Sequence, residues 1–168
     1  MSSASTSKPR HFIIDVDGVL TDGTFYYTTE GKVMKRFGAD DNDALKLLTD
    51  KLSIHAISGD HRGFDITKKR VVDDMGIQLN FVSTDKRVEW ICEHYNPHHV
   101  IYMGDGIFDH IVFNKIFYAI APANALEQTK QHAHFVTQRR GGEGAVAEAC
   151  LHILEKFFTR LMTDKYCC

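Results

Sequence analysis

The sequence predicts an α/β fold: a mainly parallel sheet sandwiched by helices, with a β-hairpin protruding after the first strand and a minimal cap. Three observations carry this prediction. Short apolar runs that read as buried strands alternate with helix-like stretches along the chain. Several of these runs stop at a glycine beside a carboxylate or hydroxyl, where open parallel sheets gather their ligands. The chain has 168 residues, 43% of them apolar, enough for one domain with a full core.

Phe12-Ile13-Ile14 reads as the first strand and runs into Asp15-Val16-Asp17-Gly18. Thr24 to Tyr27 and Val33 to Phe37 flank a tip at Glu30-Gly31, the pattern of a hairpin over residues 24–37. Asp41 to Asp50, with Ala44, Leu45, Leu47 and Leu48, reads as a helix. Ile54 to Ile57 is the next strand and ends at Ser58-Gly59. A polar helix from Phe64 to Met75 leads to a strand at Leu79 to Val82, and Lys86 to Tyr95 forms another helix. Val100 to Met103 is a strand ending at Gly104-Asp105, and Phe108 to Lys115 is helical. Tyr118 to Ala121 is a further strand. The last helix has an apolar face in which Ala145/Val146, Ala149/Cys150, Ile153/Leu154 and Phe157/Phe158 recur every four residues. One domain over 10–160 is expected, between a flexible leader, 1–9, and a tail, 161–168.

Composition narrows the function. The net charge is −2 and no basic stripe stands out, which argues against nucleic acid or an anionic membrane surface as a partner. No apolar run approaches the roughly 20 residues of a membrane span. The cysteines, Cys92, Cys150, Cys167 and Cys168, form neither a disulfide framework nor a metal knuckle, so a reducing cytoplasm is the simplest location.

The chemistry sits at strand ends. Asp15 and Asp17, two residues apart at a strand end, point into the same space. Paired buried carboxylates disfavour each other's ionisation unless a cation lies between them or one holds a proton. Either condition suits phosphoryl transfer, in which one Asp attacks phosphorus and the other carries protons. Ser58-Gly59 ends the second core strand, and Gly104-Asp105 ends a later one, with Asp109 four residues on. Lys86 opens a helix, where its charge opposes the helix dipole, so an anion gives it a reason to be there. Separately, each has a bland reading: Ser58 or Asp85 as a helix cap, Asp109 as surface charge. Four coincidences in this order are much less plausible than any one.

The series Asp15-x-Asp17-Gly-Val-Leu-Thr-Asp, Ser58-Gly59, Lys86 and Gly104-Asp105-x-x-x-Asp109 resembles the four motifs of the haloacid dehalogenase superfamily of phosphatases, over nearly all of His11 to Phe158. The hairpin and Gly141-Gly142-Glu143-Gly144-Ala145-Val146 are similar to a narrower group, the small capless phosphatases of 2-keto-3-deoxy sugar acid phosphates. The resemblance implies a Rossmann-like sheet, cytoplasmic Mg²⁺-dependent hydrolysis and a homotetramer joined through the hairpin. It implies catalytic roles for Asp15 (nucleophile), Asp17 (acid/base), Ser58 and Lys86. For the metal it implies Asp15, the Asp17 carbonyl, Asp105 and, orienting a water, Asp109.

The pattern also departs from the group. Gly106 stands where many relatives have a second acid, and Asp60 and Glu143 stand where octulosonate phosphatases usually have Arg. The expected substrate-binding residues are Gly59, whose amide the resemblance implies on phosphate, Arg62, towards the substrate carboxylate, and the divergent Asp60 and Glu143; the departures point to a nine-carbon acid rather than the eight-carbon one. The competing class is a catalytically weak assembly module in nonulosonate synthesis. Receiver domains share these residue types but place the phosphorylated Asp on a later strand.

Overall fold

The computed structural model describes residues 8–158; the expected tail, with Cys167 and Cys168, and most of the leader lie outside the described residues. Among the described residues, eight strands, β1 (His11–Asp15), β2 (Tyr26–Thr28), β3 (Gly31–Met34), β4 (Ser53–Ser58), β5 (Gln78–Phe81), β6 (Val100–Met103), β7 (Tyr118–Ala121) and β8 (Phe135–Val136), are interspersed with six α-helices. The helices are α1 (Asp40–Lys46), α2 (Phe64–Lys68), α3 (Arg87–His94), α4 (Asp109–Phe113), α5 (Glu127–Lys130) and α6 (Ala145–Ile153).

Six strands form a parallel sheet in the order β5-β4-β1-β6-β7-β8, as expected from alternating strands and helices. The chain moves from β1 outward to β4 and β5, then returns to the other side of β1 for β6. Connections diverge there, which opens a crevice at the carboxyl ends of β1 and β6. Asp15 closes β1, and Asp105 follows β6 by two residues.

Alternation along β1 divides the core into two layers. Phe12 and Ile14 pack with Leu45, Val71, Val146 and Ile153 on one face of the sheet. Ile13 packs on the other face with Ile91, Tyr102, Val112 and Phe113. β6 and β7 are buried at every position, as strands covered on both faces must be. The four-residue apolar repeat fits α6, which continues through wider turns over Leu154–Phe158.

Sequence and structure differ at three places. The hairpin strands are shorter than expected, because the chain leaves the β2–β3 pairing after Met34 and Phe37 bridges Thr21 instead. α5 has four residues, too few to show helical periodicity, and was not expected. Lys8 and Pro9, assigned to the leader, belong to the packed structure: the Lys8 carbonyl bonds the His99 ring at 2.9 Å and Pro9 is buried.

Candidate active site

The loop after β1 turns sharply. Gly18 has φ +89°, and a Cβ there would lie 2.0 Å from Asp105 Oδ2, so only glycine lets the two strand ends close. Thr21 Oγ1 accepts from the amides of Gly18 and Gly23, both at 3.2 Å, and holds the turn. Asn124 locks it from the far side, donating to the Gly18 carbonyl at 2.8 Å and accepting from the Gly141 amide. The late glycine motif is therefore packing: a Cβ at Gly141 would fall 2.1 Å from the Gly18 carbonyl oxygen.

Asp15 is buried, and its Oδ1 accepts from the Val16 amide at 2.8 Å. Arg87 grips both of its oxygens, Nη1 to Oδ2 at 2.7 Å and Nη2 to Oδ1 at 2.9 Å. The same Nη1 reaches Asp109 Oδ1 at 2.7 Å, which also accepts from the Tyr102 hydroxyl at 2.8 Å. The Gly106 amide donates to Asp109 Oδ2 at 2.8 Å. One carboxylate oxygen from each of Asp15, Asp105 and Asp109 falls within 4.8 Å of the others. Burial raises the Asp15 carboxyl to about 7 although Arg87 pulls it down. Burial, followed by the charges of Asp15 and Asp109, raises Asp105 to about 8. A single guanidinium does not balance three carboxylates, and an all-oxygen donor set of this kind suits a hard divalent cation such as Mg²⁺.

Asp17 has a different set of partners. Ser58 donates to its Oδ2 at 2.9 Å, and the Lys35 ammonium sits 2.7 Å from its Oδ1. Lys35 also pairs with Asp60 Oδ2 at 2.8 Å, and Lys32 contacts the same oxygen at 2.5 Å. Burial alone would raise the Asp60 carboxyl, but hydrogen bonds and charge from Lys32 and Lys35 hold it below its ordinary value.

The structure thus brings together Asp15, Asp17, Ser58, Asp60, Asp105 and Asp109, with Gly59 beside Ser58 at the end of β4. It corrects the placement of Lys86, whose side chain is exposed and bonds Glu89 at 3.0 Å. Lys86 ends a tight turn and Arg87 begins α3, and side chains of consecutive helical residues leave roughly 100° apart. Only Arg87 faces the end of β1. Arg62 is exposed, and Glu143 is exposed and pairs with Arg36 at 3.0 Å. Sequence reasoning missed Lys32, Lys35, Arg87, Tyr102 and Asn124. The one available signal was Arg87, a second cation beside Lys86.

No protein-family model matches the chain. It is 30% identical over 155 residues to the 3-deoxy-D-manno-octulosonate 8-phosphate phosphatase KdsC of Yersinia pestis, covering 86% of this chain and 79% of that protein. The chain belongs to the KdsC-type phosphatases of the haloacid dehalogenase superfamily. Its fold matches the solved octulosonate phosphatase of Moraxella catarrhalis, in complex with magnesium, phosphate and KDO, at TM-score 0.77 and 28% identity, over 89% of this chain and 87% of that one. The cobalt-bound Haemophilus influenzae phosphatase matches at TM-score 0.76 and 27% identity, over 89% of each chain. KdsC-type proteins are hydrolases of phosphate monoesters, and this one is a phosphatase. The metals in both solved relatives agree with a divalent-cation site at the buried acidic cluster.

Two predictions follow from the charges in this KdsC-type site. Arg87→Met leaves Asp15 and Asp109 buried without their cation and is expected to destabilise the fold by about 3–5 kcal/mol. Lys86→Met should change stability by less than about 0.5 kcal/mol, both read from urea unfolding. Equal effects would mean that Arg87 does not hold the site.

Without metal, the raised folded-state values of Asp15 and Asp105 mean that the folded protein keeps protons the unfolded chain has lost above about pH 4. Stability contributed by these groups therefore falls as pH rises through about 4 to 8. A bound cation favours the ionised carboxylates and opposes the loss. Melting curves in EDTA and in Mg²⁺ should thus separate more at about pH 8 than at about pH 5; equal separation would count against this charge balance.

Proposed function

We propose that the protein is a Mg²⁺-dependent phosphomonoesterase acting on a 2-keto-3-deoxy sugar acid phosphate through an aspartyl-phosphate at Asp15. The observation that carries this reading is the division of labour between two carboxyls two residues apart. Asp15 is buried against Arg87, and Asp17 is turned towards Ser58 and the hairpin.

A carboxylate oxygen of Asp15 attacks phosphorus as the bond to the sugar oxygen breaks, and the electron pair stays on that oxygen. Asp17 supplies the proton that oxygen needs. It then takes a proton from water as the water oxygen attacks the aspartyl-phosphate, releasing phosphate and restoring Asp15. The Ser58 hydroxyl and Gly59 amide are placed to hold phosphate oxygens. Arg87 takes the charge-neutralising role that the sequence pattern gave to Lys86. Asp15, Asp105 and the Asp17 carbonyl would hold Mg²⁺, with Asp109 orienting a water. When bound, the ion offsets repulsion between Asp15 and the phosphate dianion.

The relatives named as octulosonate 8-phosphate phosphatases make the eight-carbon ester the first substrate to test, and the nonulosonate 9-phosphate the second. Asp60 and Glu143, which suggested the nine-carbon acid, are neutralised by Lys32, Lys35 and Arg36, which weakens that inference. A role in assembly alone gains no support, since it requires none of the buried charges. Phosphate release from both esters should occur with Mg²⁺ and drop to background with EDTA or in Asp15→Asn. Release that survives the substitution would remove Asp15 as nucleophile; no release from any ester by the intact protein would sink the enzyme reading.

Tetramer formation through the hairpin is part of the same proposal. Tyr26, Tyr27, Val33 and Met34 are exposed on this two-stranded ribbon, an apolar surface that suits burial against another subunit. Phe25 is exposed there too, whereas Phe37 is half-buried against the core. Sedimentation velocity should show a tetramer that Tyr27→Asp with Met34→Glu breaks into smaller species; a wild-type monomer would refute it.

A further inference from the structure

Lys35 lies one residue beyond β3, at the base of the hairpin, and its side chain is fully buried. Burying an ammonium is costly unless each of its donors finds an acceptor. Here the ammonium ion-pairs with Asp17 Oδ1 at 2.7 Å and Asp60 Oδ2 at 2.8 Å and donates a hydrogen bond to Thr67 Oγ1 at 2.8 Å. Space is kept for this contact by Gly63, where a Cβ would fall 2.2 Å from Asp60 Oδ2 and 2.7 Å from Lys35 Cε. Lys32 fastens the hairpin beside it, on Asp60 and over the Phe25 ring at 3.3 Å.

Asp17 depends on this arrangement. It sits in a loop with non-helical backbone angles, and its two carboxylate oxygens are held by Ser58 on one side and Lys35 on the other. Reacting groups must be fixed to within about 0.5 Å by neighbours that are themselves locked. Ser58 is locked by β4, and Lys35 by Thr67 and Asp60.

We propose that Lys35 is a positioning residue for Asp17, so that the hairpin sets the proton-delivering half of the reaction as well as providing apolar surface. The inference rests on the phosphatase reading above, with Asp17 as the proton carrier. It has a consequence that a structural role does not share. An alkyl ester such as 3-deoxy-D-manno-octulosonate 8-phosphate expels an alkoxide and needs the Asp17 proton. An activated substrate such as p-nitrophenyl phosphate expels a stable anion and needs no proton in that step, whereas the later attack of water on the aspartyl-phosphate uses Asp17 for either substrate.

The test compares kcat and KM of the full-length protein, Lys35→Met and Lys35→Arg on both kinds of ester with saturating Mg²⁺. Lys35→Met should lower kcat/KM, which covers the steps up to release of the leaving group, about a hundredfold on the sugar phosphate and only a few fold on the activated ester. Lys35→Arg should recover part of the loss. Equal losses on both esters would overturn the proposal in favour of a structural role, and a change confined to KM would overturn it in favour of substrate binding. Should Lys35→Met fail to fold, Asp60→Asn loosens Lys35 while keeping its charge, and the same leaving-group comparison decides. A wild-type protein inactive on every ester would instead overturn the phosphatase reading on which the proposal rests.

Discussion

Asp15, Asp105 and Asp109 crowd three carboxylates into a buried space at the end of β1 and β6, and the guanidinium of Arg87 is the cation this chain places among them. At effective dielectric constants of about 20, like charges about 4 Å apart repel by roughly 4 kcal/mol, which is comparable to the net stability of a small domain. Neighbouring features can be read as responses to this charge. Tyr102 and the Gly106 amide hold Asp109, the Val16 amide holds Asp15, and burial raises the carboxyls of Asp15 and Asp105.

A second charge balance lies a few residues away and is solved differently. Asp17 and Asp60 meet two lysines from the hairpin. The two carboxyls of the Asp15-x-Asp17 pair thus belong to separate networks, one anchored in the sheet and α3, the other in a protruding ribbon.

Close backbone approach links both networks to the frame. Gly18 lies against Asp105, Gly141 against the Gly18 carbonyl, and Gly63 against Asp60 and Lys35. Any side chain at these positions would push these groups apart. Asn124, on the loop between β7 and α5, completes the frame by bonding the first motif and the late glycine motif together.

The sequence by itself determined the alternating strands and helices, the parallel sheet and most of the acidic residues at its crevice. These follow from local apolar patterning and from motifs whose members sit within a few residues of one another. It could not choose between Lys86 and Arg87, because neighbouring residues at a helix start differ only in direction, and direction is set by how α3 packs on the sheet. Nor could it place Lys32 and Lys35, which read as ordinary polar positions of a hairpin until the ribbon folds back over Asp60. α5 was illegible because four residues carry too little periodicity to register. The tertiary structure decided which cation meets which carboxylate, because charge pairing acts across space between segments that the local pattern treats as independent.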